Sequence, residues 1–372
     1  MTRHMVKRLS LLLGLATVLM GCAGQGSPTP LPTSTVGPIS PTASAALPTE
    51  TATVVPPTST PTSSPETQPS PTTEARRIEF APGITSTALS GKLGPGGAVR
   101  YVLRAQAGQL MEVSVLSAQE VQLAIEGGDG TVLKTAEGPP FFRGTVPGSQ
   151  DYLLVVAARD EAASYSLSVI IPERIRFSPG ATSAAVQGQL PARGTHYYVL
   201  AGQAGQLMEV NVSPPDAVQT VIYGVDGTVL KSGMGGGPFF RGTLPSTQEY
   251  ILSLSAGDQD VSYTTNVVIA RRIQFAADAT SAVEQGDVGP GREQAWVLAA
   301  SGGQTMKVDV IAAEAAVRLV IYGVDGTVLK SGMGEGSTFE GVLPSTQDYV
   351  VIVGPADRST TYQLEVTILP GS

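Results

Sequence analysis

Cysteine occurs once in this chain, at position 22, and histidine only twice, at His4 and His196. A lone thiol excludes an internal disulfide, so folding must rest on packing. The shortage of cysteine and histidine leaves no cluster with transition-metal spacing, and neither metal nor cofactor is expected. Basic residues are outnumbered by acidic ones, 23 to 31. That balance excludes the clustered Lys and Arg of a nucleic-acid footprint and favours encounter with a basic partner. Aromatic residues are scarce too, at 5% with a single Trp.

The one cysteine has a defined setting. Arg3, Lys7 and Arg8 precede an apolar run of twelve residues from Leu9 to Met20, and Leu19-Met20-Gly21-Cys22 closes it. A basic n-region, a short apolar h-region and a small residue before the cut describe a secretory signal. Twelve residues are too few for a membrane-spanning helix, which needs about 20. With cysteine directly after the cut, the segment resembles the lipobox of bacterial lipoproteins. That resemblance implies a diacylglyceryl group on Cys22 and a membrane partner through that lipid. The expected protein is exported and membrane-anchored, on the cell surface or the periplasmic face. Loss of residues 1–21 removes three basic and no acidic residues, taking the net charge from −8 to −11.

Residues 22–75 are expected to form the lipid anchor and a disordered tether. Residues 25–75 hold 12 Pro and 21 Ser or Thr among 51 residues. Such a segment buries too little apolar surface to offset the entropy of ordering it. Its prolines favour extended polyproline II, with a reach of up to about 150 Å at ~3.1 Å per residue. The same Ser/Thr-Pro density suits O-glycosylation.

Beyond the tether the chain repeats. Arg76-Arg77-Ile78-Glu79-Phe80, Glu173-Arg174-Ile175-Arg176-Phe177 and Arg271-Arg272-Ile273-Gln274-Phe275 begin successive units. Residues 221–235 and 320–334 are identical, and Gly128 to Lys134 is the counterpart in the first copy. A period near 98 exceeds the 20–50 residues of solenoid repeats and equals a whole domain. Three domains are therefore expected, at 76–172, 173–270 and 271–372.

Within each copy the period is two. Met111, Val113 and Val115 alternate with Glu112 and Ser114; Met208, Val210 and Val212 alternate with Glu209 and Asn211; Met306, Val308 and Val310 alternate with Lys307 and Asp309. Half-buried strands read this way. The apolar set should face a core, and Glu209 should face water, where a change to Lys costs less than about 0.5 kcal/mol. Asp129-Gly130, Asp226-Gly227 and Asp325-Gly326 sit between apolar runs and signal hairpins. Eight or nine short strands per copy, with no helical run, give the fold class: all-β, three tandem antiparallel β-sandwich domains.

Catalysis finds little support. His196 has Val99 and Gln294 as counterparts, so no shared Ser-His-Asp device exists. A single aspartate per hairpin supplies too few oxygens for calcium. Binding features remain. Phe141-Phe142-Arg143 and Phe239-Phe240-Arg241 place an arginine beside an aromatic pair, which suits either an anchor for a partner or an edge packed on a neighbouring domain. Tyr101, Tyr198 and Trp296 correspond and offer faces for sugar stacking or for core filling.

Each copy resembles the small bacterial sandwich family of periplasmic inhibitors of g-type lysozyme, and is similar to bacterial pre-peptidase C-terminal domains. The residues carrying this in the first copy are Phe80 to Gly83, Ser86 to Leu93, Tyr101 to Leu103, Ala107 to Gln109, Phe142 to Thr145 and Ser164 to Leu167. The resemblance implies a non-enzymatic envelope sandwich. It also singles out the loop from Ala157 to Glu161, where Arg159 would contact a lysozyme's acidic cleft. The reading is thus a non-catalytic lipoprotein displaying three binding or adhesion modules. The alternatives are a g-type lysozyme inhibitor acting through the first copy, and a structural stalk or accessory subunit of an envelope complex. Its expected partners are a basic envelope protein such as lysozyme, or cell-wall polysaccharide.

Overall fold

Alternation at period two yields strands throughout, and no helix occurs among the described residues. The computed structural model describes residues 74–81, 83–233, 237–313, 316–332 and 336–371. The expected signal segment, Cys22 and nearly all of the expected proline-rich tether lie outside them.

The first copy contains nine strands: β1 (Arg76–Arg77), β2 (Ser86–Leu93), β3 (Ala98–Ala105), β4 (Leu110–Ser117), β5 (Val121–Gly127), β6 (Val132–Lys134), β7 (Phe141–Thr145), β8 (Gln150–Ala158) and β9 (Ala163–Ile170). They form a five-stranded sheet, β1-β3-β8-β5-β6, and a four-stranded sheet, β2-β9-β4-β7. All neighbours pair antiparallel except β1, which lies parallel to β3. The two following copies repeat both strand orders.

Each sheet turns one face inward. Leu103, Leu123, Tyr152 and Leu154 from the five-stranded sheet pack with Met111, Val113, Leu167 and Val169 from the other. The apolar set of the alternating strand is buried in every copy, Met208, Val210 and Val212 in the second and Met306, Val308 and Val310 in the third. The chain is therefore all-β and built of β-sandwiches, with one core per copy.

The copies are joined differently. Between the first and second, Ile171 and Pro172 separate β9 from the short strand Glu173–Arg174. Proline has no N–H to give a ladder, and the strand stops there. Ala270 occupies the corresponding place at the next join, and Val261–Arg272 runs on as one strand. Its body belongs to the second sandwich, while Arg271 and Arg272 pair parallel with Trp296 and Val297 of the third.

Candidate functional site

The motifs that recur most closely hold turns. Asp129 Oδ1 accepts from Thr131 N at 2.9 Å, and Gln150 Oε1 accepts from Asp129 N at 2.9 Å. Those hydrogen bonds, the Thr131 backbone first among them, hold the Asp129 carboxyl below its usual range. The carboxylate is thus used in closing the hairpin. Tyr152, fully buried, donates its hydroxyl to Gly148 O at 2.8 Å, and Tyr250 and Tyr349 do the same to Ser246 O and Ser345 O. Asp226 and Asp325 repeat the aspartate's role.

Tyr101 belongs to the core. It is 2% exposed and its hydroxyl lies 2.6 Å from that of Tyr165. Tyr198 meets Tyr263 at 2.6 Å, and Trp296 Nε1 donates to Tyr362 Oη at 2.8 Å. The second tyrosine of each pair lies against a glycine. A Cβ on Gly91, Gly188 or Gly286 would come within 2.4, 2.5 and 2.7 Å of the hydroxyl oxygens of Tyr165, Tyr263 and Tyr362. The reading of Tyr101 as a face for a ligand is corrected in favour of core filling, since its ring belongs to the sandwich interior.

Arg143 and Arg241 have an inside partner. Arg143 Nε pairs with Glu112 at 2.6 Å, its Nη1 donates to Val225 O of the second copy at 3.1 Å, and the guanidinium lies 5.1 Å from the rings of both Phe141 and Tyr223. The next join repeats this. Arg241 pairs with Glu209 at 2.6 Å, donates to Val324 O at 3.2 Å, and lies 5.0 Å from the Phe239 ring and 4.8 Å from that of Tyr322. Of the two roles the sequence leaves open for these arginines, packing on the neighbouring copy is the one these contacts match. A guanidinium suits this place because it stays charged, bonds in plane and stacks on both faces.

Apolar contact surrounds each clamp. Leu110 packs with Val199 and Ile251 across the first join. Leu207 and Ala270 pack with Ala295, Val297 and Val350 across the second. A threonine completes each: Thr85 Oγ1 accepts from Tyr197 N, and Thr182 Oγ1 from Ala295 N, both at 2.6 Å. Burial, reinforced by the facing glutamates, raises the hydroxyl pKa of Tyr223 and Tyr322 above the ordinary value.

The outward faces differ. In the third copy, Lys307 and Glu340 stand where Glu209 and Arg241 stand in the second, in an exposed pair at 2.9 Å. In the first copy, Glu126 and Gly128 replace Tyr223 and Val225. The clamp exists only where two copies meet.

His196 lines an open cleft of about 960 Å³ between the first and second copies. Its Nδ1 lies 2.5 Å from Tyr263 Oη, and burial lowers its pKa, partly offset by the Glu173 carboxylate. No cluster of three His, Cys, Asp or Glu fit for a metal ion occurs among the described residues. Arg159 follows β8. Half its side chain is exposed, its Nε lies 3.1 Å from Glu120, and its carbonyl accepts from Gly96 N.

Sequence reasoning missed Glu112, Glu209, Tyr223, Tyr322, Thr85 and Thr182 as junction residues. A signal was present for all but the threonines: the tyrosine occurs only in copies that follow another, and the glutamate only in copies that precede one.

No family model and no curated protein matches the chain. Among solved structures it is similar to PliG of Aeromonas hydrophila, a periplasmic lysozyme inhibitor of g-type lysozyme. That likeness has 24% identity and a TM-score of 0.24, over 26% of this chain and 95% of that one. For PliG of Salmonella Typhimurium the figures are 18% and 0.21, over 26% and 95%. The CUB1-EGF-CUB2 domains of rat MASP-1 are similar at 9% identity and a TM-score of 0.18, over 52% of this chain and all of that one.

Proposed function

We propose that the chain is a non-catalytic lipoprotein that displays three β-sandwich binding modules as one body on a flexible, membrane-anchored tether. The observation that carries this reading is the clamp made twice, Arg143 on Tyr223 and Arg241 on Tyr322. A chain that fixes its modules to one another, behind a segment too polar and proline-rich to pack, is suited to presenting a surface at a distance from a membrane. The absence of any titratable counterpart to His196 in the other copies also favours binding over catalysis.

Two measurements on one preparation test this. Radiolabelled palmitate should enter the full chain and not Cys22→Ser. Protease treatment of the membranes should cut the tether and release the three copies as a single fragment beginning near residue 74. An unlabelled wild type, or release of separate single copies, would overturn the reading.

A second reading follows from the exposed half of Arg159 and from Glu120, its partner, which is 69% exposed. Here the first copy inhibits a g-type lysozyme, with Arg159 gripping a carboxylate of the enzyme's cleft. Arg159→Ala should then weaken inhibition by the full chain about thirtyfold, the loss expected when a hot spot is truncated. A lysozyme left fully active by the wild type at micromolar concentration would end this reading.

A further inference from the structure

The two joins share a plan, but only one has its interior filled. At the second, Gln294 Nε2 and Arg271 Nη2 donate to Gly180 O at 2.8 and 3.2 Å. The Arg271 guanidinium also lies 5.6 Å from the Trp296 ring, and Arg292 pairs with Asp287. At the first join, Glu173 stands in place of Arg271, His196 in place of Gln294, Gly194 in place of Arg292 and Gln189 in place of Asp287. Two guanidinium groups are missing there, the Asp287 carboxylate is lost, and that of Glu173 is gained.

What remains is the 960 Å³ cleft, and its character follows from those exchanges. Glu173 and Asp260 line it, and no lysine or arginine does. Asp260 uses one carboxylate oxygen to accept from Ala192 N at 2.7 Å. His196 is 6% exposed and its Nδ1 is committed to Tyr263. Gln187 and Gln189 add amides. Gly83, the counterpart of Gly180, also lines the cleft, and among the described residues no backbone N–H donates to its carbonyl. The result is an opening lined by two carboxylates, whose counterpart one join away holds a guanidinium from the chain itself.

We propose that this cleft receives an arginine side chain of a partner protein, its guanidinium taking the place that Arg271 and Gln294 fill at the second join. Guanidinium carries five donors in one plane and remains charged in a half-buried site. Glu173 supplies the countercharge and a two-oxygen acceptor, and the Gly83 carbonyl and Asp260 supply further acceptors. A lysine offers a compact charge without the planar fork. The acidic surplus of the whole chain would speed the approach of a basic partner. The proposal rests on the binding-module reading and names the chemistry of what is bound.

The probe is N-acetyl-arginine amide, with the neutral citrulline analogue as control, titrated into the full chain in detergent with histidine labelled at Cε1. The His196 resonance is assigned by its loss in His196→Gln. Its shift should saturate with the arginine probe, with half-saturation at about 1 mM or lower. The citrulline probe should bind at least tenfold more weakly. Glu173→Arg, which fills the cleft from within, should abolish saturation while leaving the melting temperature unchanged or higher. Should that variant fail to fold, Glu173→Gln and Asp260→Asn decide, each weakening the probe at least threefold. A shift that rises linearly without saturating, equal binding of citrulline, or undiminished binding by a folded variant would overturn the proposal. None of these outcomes touches the palmitate or protease results, so the two readings fall separately.

Discussion

Tyr322 donates its hydroxyl to both carboxylate oxygens of Glu209, at 3.0 and 3.1 Å, although 113 residues separate them in the chain. Glu209 also holds Arg241, and their side chains are only 13% and 16% exposed. The strand's facing is as its alternation indicates, with Met208 and Val210 in the core. Its other face is covered by the third copy instead of water, which corrects the expectation that Glu209→Lys is harmless. That change sets a cation against Arg241 and strands both, at a cost of about 3 kcal/mol or more. Calorimetry of the full chain should show the third copy melting apart from the second.

The core of the second copy holds two orphaned hydroxyls. Thr220 Oγ1 and Thr265 Oγ1 are buried without a partner. Leucine stands at the corresponding positions of the other copies, Leu123 and Leu319, and Leu167 and Leu364. Thr265→Val keeps the shape and removes the unpaired group, so it should raise stability by about 1 kcal/mol, read from the urea midpoint. A loss of similar size would show that the hydroxyl is satisfied after all.

Gly188 should tolerate no side chain. A Cβ there would meet Tyr263 at 2.5 Å, and Tyr263 is held in turn by Tyr198 and His196. Gly188→Ala should cost about 2 kcal/mol through overpacking. Gly257→Ala, with open space around its Cβ, serves as the control.

His196 gives a pH dependence of known sign. Burial depresses its folded pKa below 6.5, while Glu173 opposes the shift. Above pH 6.5 both states are neutral and the full stability is present. As pH falls below 6.5 the unfolded chain takes up the proton first, and stability declines until the folded pKa is passed. The melting temperature should therefore drop on acidification from pH 7, before the carboxylates titrate. His196→Gln, the residue found at position 294, should flatten that part of the curve.

How much of this was legible depends on what each residue touches. Alternation located Met111, Met208 and Met306 inside because burial on one sheet face imposes a period of two. The hairpins at Asp129, Asp226 and Asp325 were legible because turn chemistry is local. Glu209 and Glu112 were not, since a strand's pattern shows which residues face its own core but not what covers the other face. Tyr101 stayed open between two roles for a related reason: a lone aromatic reads alike whether its hydroxyl finds Tyr165 or a ligand.

The exposed Lys307–Glu340 pair has a consequence for the protein at high concentration. A joint that fastens one copy to the next could in principle fasten one molecule to another, and end-to-end growth into fibres would follow. The outer end of the third copy lacks the arginine such a joint requires, and the first copy meets it with Glu126 instead of tyrosine. End-to-end growth through this joint is therefore not expected, and light scattering of the concentrated protein should show no fibres.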